Sequence, residues 1–235
     1  MKINKFESRD SLFDSIAKKI QFNLSEAIYK NNTASFIVPG GTTPAPVFEI
    51  LSRSDLDWNK VTIAQSDERW LQATHEQSNE RLTRENLLIN HAKTANYVSM
   101  KNEAVNIKEG ELVCDTAYQT ITSPFTICML GMGLDGHIAS LFPDSKNIRK
   151  ALSLENNNLC IAIDASGCSV AGDYPMRMSL TLSAILNSET ILLLITGKEK
   201  LKIIENLINT SPDNNLPVSH IINQSTTNVE VFWCD

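Results

Sequence analysis

No apolar run in the 235 residues reaches the roughly 18 needed to cross a bilayer. The first ten residues, MKINKFESRD, lack the apolar stretch of a secretory signal. The five cysteines (Cys114, Cys128, Cys160, Cys168 and Cys234) are odd in number, scattered and never spaced as CxxC. That argues against a disulfide framework and a zinc site. His75, His91, His137 and His220 are equally dispersed, so no metal site is expected. Positive charge is also short, with 21 Lys and Arg against 27 Asp and Glu, net −6. Non-specific nucleic-acid binding is therefore not the expectation. An anionic substrate must be met by a local cluster of cations working against the overall field. No repeat, low-complexity tract or linker interrupts the chain. What remains is a soluble, reduced, cytoplasmic protein of ordinary composition, 42% hydrophobic and 20% charged. The expectation is one domain over residues 1–235.

Helix and strand patterns alternate along the whole length, which favours an α/β fold with a mainly parallel sheet. Residues 7–30 carry Leu12, Ile16, Ile20, Leu24 and Ile28 at four-residue steps, an amphipathic helix that Ser8 or Ser11 caps and Asn31-Asn32 ends. Strands are expected at Ala34–Val38, Val61–Gln65, Asn96–Met100, Phe125–Leu130, Leu159–Ile163, Tyr174–Leu182, Thr190–Ile195 and Val229–Trp233. Further helices are expected from about Pro44, over Asn79–Ile89 behind a Ser78 cap, over Glu111–Ile121 with Leu112, Tyr118 and Ile121 inward, over Ser183–Leu186 and from Glu199 to Ile208. Residues 145–175, polar and without clear period, are the expected cover of any site.

Three strand ends carry ligand-type chemistry. Val38 runs into Pro39-Gly40-Gly41-Thr42-Thr43-Pro44 and then a helix. Two glycines admit a ligand close to the backbone, two hydroxyls donate, and a helix N-terminus supplies unpaired N–H groups, a phosphate cradle without lysine. Gln65 runs into Ser66-Asp67-Glu68-Arg69-Trp70, where Arg69 suits a phosphate and Asp67 a sugar hydroxyl or a cation. Leu130 runs into Gly131-Met132-Gly133-Leu134-Asp135-Gly136-His137, and an imidazole side chain titrates near neutral pH. Asp135 and His137 are two apart and do not face each other on a helix, so contact between them requires an irregular turn at Gly136. Arg177 and Lys198 flank later strands. In a parallel sheet these ends share one edge and converge on one cleft.

In order along the chain, PGGTTP, SDERW, SNERLTRENLL, LGMGLDGHIASLFP, YPMRMSLT and TGKEK resemble the 6-phosphogluconolactonases and, more distantly, their glucosamine-6-phosphate deaminase/isomerase relatives. The resemblance covers about residues 34 to 200. It implies a three-layer α/β/α sandwich around a Rossmann-like sheet, hydrolysis of 6-phospho-D-glucono-1,5-lactone in the oxidative pentose phosphate pathway, and no cofactor. The partner it implies is that small phosphorylated sugar lactone. It places His137 as general base, with Asp135 either orienting it or holding substrate. Gly40, Gly41, Thr42, Thr43, Arg69, Arg177 and Lys198 form the phosphate side, with Asp67 at the sugar end and Gly133 in the substrate loop.

The deaminase branch resembles DGHIAFNEP, with a glutamate that serves ring opening. Here Phe142 stands in its place and cannot relay a proton, which favours hydrolysis. The alternatives are a sibling deaminase/isomerase and a non-catalytic sugar-phosphate sensor. A dinucleotide site is suggested only by the GxGxxG spacing of Gly131, Gly133 and Gly136. No GxSxG elbow surrounds Ser140, which argues against a serine nucleophile.

Overall fold

The structure, a computed structural model, describes residues 1–208, 210–212 and 215–235. Its strands are β1 (Lys2–Lys5), β2 (Ala34–Val38), β3 (Val61–Gln65), β4 (Asp67–Arg69), β5 (Asn96–Val98), β6 (Phe125–Leu130), β7 (Cys160–Asp164), β8 (Met176–Leu180), β9 (Ser188–Thr196) and β10 (Asn228–Cys234). Its α-helices are α1 (Arg9–Asn31), α2 (Ala45–Ser52), α3 (Asn79–Asn86), α4 (Ile107–Tyr118), α5 (Ile148–Leu152), α6 (Leu182–Leu186), α7 (Lys198–Leu207) and α8 (Ser219–Ile222).

Seven strands form a parallel sheet in the order β1-β10-β9-β6-β2-β3-β5. Alternation sorts its side chains into two layers. Phe36 and Val38 of β2, Ile127 and Met129 of β6, and Leu192 and Leu194 of β9 pack with Leu12, Ile16 and Ile20 of α1 and Phe48 of α2. Ile37, Cys128, Leu130, Ile191 and Leu193 point the other way, toward Cys114 and Tyr118 of α4. The strands most hydrophobic in sequence are thus those buried on both faces. Ser8 caps α1 in a reciprocal pair with Ser11, and Asn32 ends it at φ 59°.

The sequence pattern did not anticipate a second sheet. β4, β8 and β7 pair antiparallel in that order. Its outer strand is closed from the side by α4: the Asp115 carboxylate accepts from the Leu159 and Cys160 amides, and Glu111 accepts from the Ala162 amide. Residues 145–175, the expected cover, contain α5 and the outer strand β7 among turns and loop, and their Val170 lines the cleft. Leu112 is 73% exposed, contrary to its expected inward position. The helix instead starts at Ile107 behind Asn106 and buries Ile107, Cys114 and Tyr118. No helix among the described residues is long and apolar enough to cross a membrane.

Chain order runs outward from β2 through β3 to β5, then returns to β6 on the other side of β2. The order reverses between β2 and β6, and a crevice opens outside the C-terminal ends of strands at such a point.

Candidate active site

A cavity of about 300 Å³ occupies that crevice. Along the sheet edge its wall is built from Thr196 at the end of β9 and Lys200 beyond it, Gly131, Gly133 and His137 after β6, Gly40, Gly41 and Thr43 after β2, and Ser66, Asp67 and Arg69 after β3. Arg177 of β8 and Phe142 close it from the small sheet's side. The three strand-end loops therefore meet in one place.

The loop after β6 is shaped around an imidazole. Gly136 takes φ 76° and turns the chain so that His137 Nδ1 lies 2.6 Å from Asp135 Oδ1. A Cβ on Gly136 would press on Leu216 at 2.6 Å, and the Val218 amide donates to the Gly136 carbonyl from the same side. Gly133 lies beneath the pair: a Cβ there would sit 2.3 Å from both Cε1 and Nδ1 of His137 and 2.4 Å from Asp135 Oδ1. Only glycine leaves room for the ring. The buried Phe142 ring packs against the imidazole with centroids 4.6 Å apart. Burial works to raise the Asp135 carboxyl, but the side-chain bond, charge and backbone amide of His137 outweigh it and hold it below the usual carboxylate range. An ionised Asp135 at Nδ1 keeps the proton there and leaves Nε2 as the nitrogen that can accept one.

Ala139 follows at a left-handed φ of 48°, unusual for a residue with a Cβ. Next in the chain, Ser140 donates to Asp67 Oδ2 at 2.6 Å. Ser66 donates to Asp67 Oδ1 at 3.2 Å, so this 7%-exposed carboxylate is held by two hydroxyls. Glu68 turns away from the cavity. Its buried carboxylate receives five donors, Gln65 Nε2, Ser78 Oγ and the amides of Arg69, Asn79 and Glu80. Burial pushes its carboxyl up, against the pull of those donors.

Three cations reach the cavity wall. Arg69 donates from Nη1 to the Gln77 carbonyl and to Asn79 Oδ1. Arg177 is buried and donates to the Tyr174 and Ala171 carbonyls, with its guanidinium 5.6 Å from the Phe142 ring. Burial lowers its pKa, partly offset by Asp67. Burial likewise lowers that of Lys200, against the opposing charge of Asp135. The expected lysine was Lys198, and here the structure corrects the sequence reading. Lys198 is exposed and pairs with Asp235 at 3.0 Å. Gly197 sets the start of α7, and two residues around a helix rotate a side chain by about 200°, which brings Lys200 to the cleft instead. Thr42 is exposed and off the cavity wall, whereas Thr43 lies on it. Asp135 stands behind His137 rather than on the wall. Sequence reasoning also missed Asn79, Ser66 and Ser140. Asn79 was hidden by its position as an ordinary first residue of a helix.

A family model, that of glucosamine-6-phosphate isomerases/6-phosphogluconolactonase, matches residues 7–233. The chain belongs to this family. Among its relatives the 6-phosphogluconolactonase of Caulobacter vibrioides is 34% identical over 235 residues, covering 100% of this chain and 98% of that one. That of Xylella fastidiosa is 36% identical over 221 residues, covering 94% and 90%. The crystal structure of a 6-phosphogluconolactonase from Shewanella baltica OS155 superposes with a TM-score of 0.94 at 34% identity, covering 100% of this chain and 98% of that one. A monomeric glucosamine-6-phosphate deaminase, at 19% identity and TM-score 0.80 over 100% and 97% of the chains, shares the fold. The glucosamine-6-phosphate isomerase/6-phosphogluconolactonase family thus accounts for the α/β scaffold.

Proposed function

We propose that the protein hydrolyses 6-phospho-D-glucono-1,5-lactone to 6-phospho-D-gluconate, with His137 as general base. The observation that carries the reading is the imidazole, bound at Nδ1 by Asp135 and covered by the phenyl ring of Phe142. A base is present, and no second acid–base group stands at the Phe142 position to move a proton during ring opening of an amino sugar. The relatives reported at 34% and 36% identity carry the lactonase name.

In this reading His137 Nε2 takes a proton from water as the water oxygen attacks the lactone carbonyl. The tetrahedral intermediate collapses with cleavage of the ring C–O bond, and the imidazolium returns the proton to the departing ring oxygen. Lactone and water are consumed and the acid is formed, with no redox step and no cofactor. The Gly40–Thr43 loop at the N-terminus of α2, with Arg69, Arg177 and Lys200, receives the phosphate. No side chain caps the first turn of α2, which leaves its dipole end available to an anion. Asp67, already oriented by Ser66 and Ser140, takes a sugar hydroxyl. The whole chain acts as one domain, and its five free cysteines suit a reducing cytoplasm.

The test is a lactonase assay at slightly acidic pH, where spontaneous opening is slow, beside an ammonia assay with glucosamine 6-phosphate. Rapid lactone opening without ammonia release is the expected result. Ammonia release without lactone opening overturns the proposal.

A further inference from the structure

We propose that Asn79 is a positioning residue: its carboxamide sets both the Arg69 guanidinium and the Gly40 backbone for the phosphate end of the substrate. This rests on the reading of the site as a phosphosugar lactonase.

The carboxamide is 2% exposed as a residue and has one possible orientation. Nδ2 donates to the Asp67 carbonyl at 2.8 Å, and Oδ1 accepts from Arg69 Nη1 at 3.1 Å. A flipped amide would set donor against donor and acceptor against acceptor. The backbone is held as firmly, since the Asn79 amide donates to Glu68 and its carbonyl accepts from Thr83 Oγ1. On its other side the carboxamide lies flat against the phosphate loop. A Cβ built on Gly40 would fall 2.1 Å from Oδ1 and 2.2 Å from Cγ of Asn79. One side chain thus touches the loops after β2 and β3 together.

The arrangement leaves Arg69 half committed. Among the described residues its side chain spends only Nη1 on protein acceptors, at Gln77 and Asn79. Nε and Nη2 stay free for a ligand, and a guanidinium held along one edge presents the other as a fork for phosphate oxygens. A neutral amide is the right holder. A carboxylate at position 79 would pair with Arg69 and cancel the charge the ligand needs, and would face the Asp67 carbonyl without a donor.

The test uses the full-length protein with Asn79→Asp and Asn79→Ser. Steady-state constants are measured on the phosphorylated lactone and on unphosphorylated gluconolactone, and inorganic phosphate is titrated calorimetrically. The lost bond to a charged group in Asn79→Ser, and the cancelled Arg69 charge in Asn79→Asp, each predict a KM for the phosphorylated lactone roughly tenfold higher, with kcat changed by less than about twofold. Phosphate affinity should fall in parallel, and constants for the unphosphorylated lactone should hold. Equal losses on both lactones, or a fall in kcat at constant KM, overturn the positioning role.

The phosphate titration separates this inference from the one beneath it. A wild type that opens no lactone but binds phosphate more tightly than its variants keeps Asn79 in its role and removes the lactonase reading. A wild type that opens lactone while its variants keep KM and phosphate affinity does the reverse. A wild type that does neither overturns both. A double-mutant cycle checks the contact itself, whether or not turnover survives. Gly40→Ala should lower the melting temperature by less than half as much in the Asn79→Ser background as in the wild type. Equal shifts in both backgrounds overturn the contact.

Discussion

Arg69 and Arg177 stand directly opposite one another in the antiparallel pairing of β4 with β8. Like charges at facing positions of a sheet repel, and here each guanidinium is tethered so that it cannot swing away. Arg177 is held by two carbonyls and Arg69 by a carbonyl and an amide. An anion placed between them removes the repulsion. Inorganic phosphate at about ten times its Kd should therefore stabilise the wild type by ~1.4 kcal/mol, a rise of about 3–6 °C in melting temperature for a chain of this size. Arg69→Ala should show less than half of that rise in a thermal-shift titration. An undiminished rise would place the anion elsewhere.

His137→Ala should lower kcat by about 10²- to 10⁴-fold, the usual contribution of a positioned general base. KM for the phosphorylated lactone should move little, because Arg69, Arg177 and Lys200 on the cavity wall are left intact. Steady-state lactonase kinetics read both constants, and an unchanged kcat would remove His137 from the reaction.

Gly133→Ala tests the nest under the imidazole. The added methyl overlaps Cε1 and Nδ1 of His137, and the ring must shift by an ångström or so. Misplacement on that scale costs about 10²-fold in turnover. Circular dichroism should report an unchanged fold, since Gly133 lies in a cleft loop outside the strands.

Asp135 makes a pH prediction with a definite sign. Its carboxyl is held below the usual range in the folded chain. Its stabilising contribution is therefore complete above the unfolded value, near pH 4, and is lost as pH falls through the lower folded value. Urea unfolding between about pH 5 and pH 2 should show a shallower loss of stability in Asp135→Asn than in wild type. Parallel curves would mean that the pair with His137 contributes nothing to the folded state.

Glu68→Gln replaces a carboxylate on which five donors converge with a group that offers two hydrogens of its own. At least one buried amide at the start of α3 loses its acceptor, and an unsatisfied buried donor costs about 1–3 kcal/mol. Urea denaturation at neutral pH should show that loss. A stabilised variant would mean that the burial cost of the charge outweighs its five bonds.

The strands that carry the cleft were legible because they are buried on both faces. Ala34–Val38, Val61–Gln65 and Phe125–Leu130 appear in the structure with the bounds their apolar runs suggest, and the loops beyond them are where glycines and charges cluster. β1 escaped because an edge strand reading Lys-Ile-Asn-Lys is half solvated. β4 escaped because three residues, Asp67 to Arg69, become a strand only by pairing with Met178 and its neighbours over a hundred positions later. The sequence points to Lys198 and not to Lys200 because the phase of α7 depends on where Gly197 ends the strand, and periodicity does not set that phase. Asn79 was invisible for a related reason: its partners Gly40, Asp67 and Arg69 come from other segments.

The carboxylates of α4 along β7 have a consequence beyond packing. An outer strand with bare amides is a template on which a second chain can grow. Proteins often guard such a rim with lysines or a proline on the strand itself. Here the strand reads Cys-Ile-Ala-Ile-Asp and is nearly unguarded, while Glu111 and Asp115, one helical turn apart, occupy its amides from outside. Resistance to fibre-like self-association is thereby delegated to a helix elsewhere in the chain.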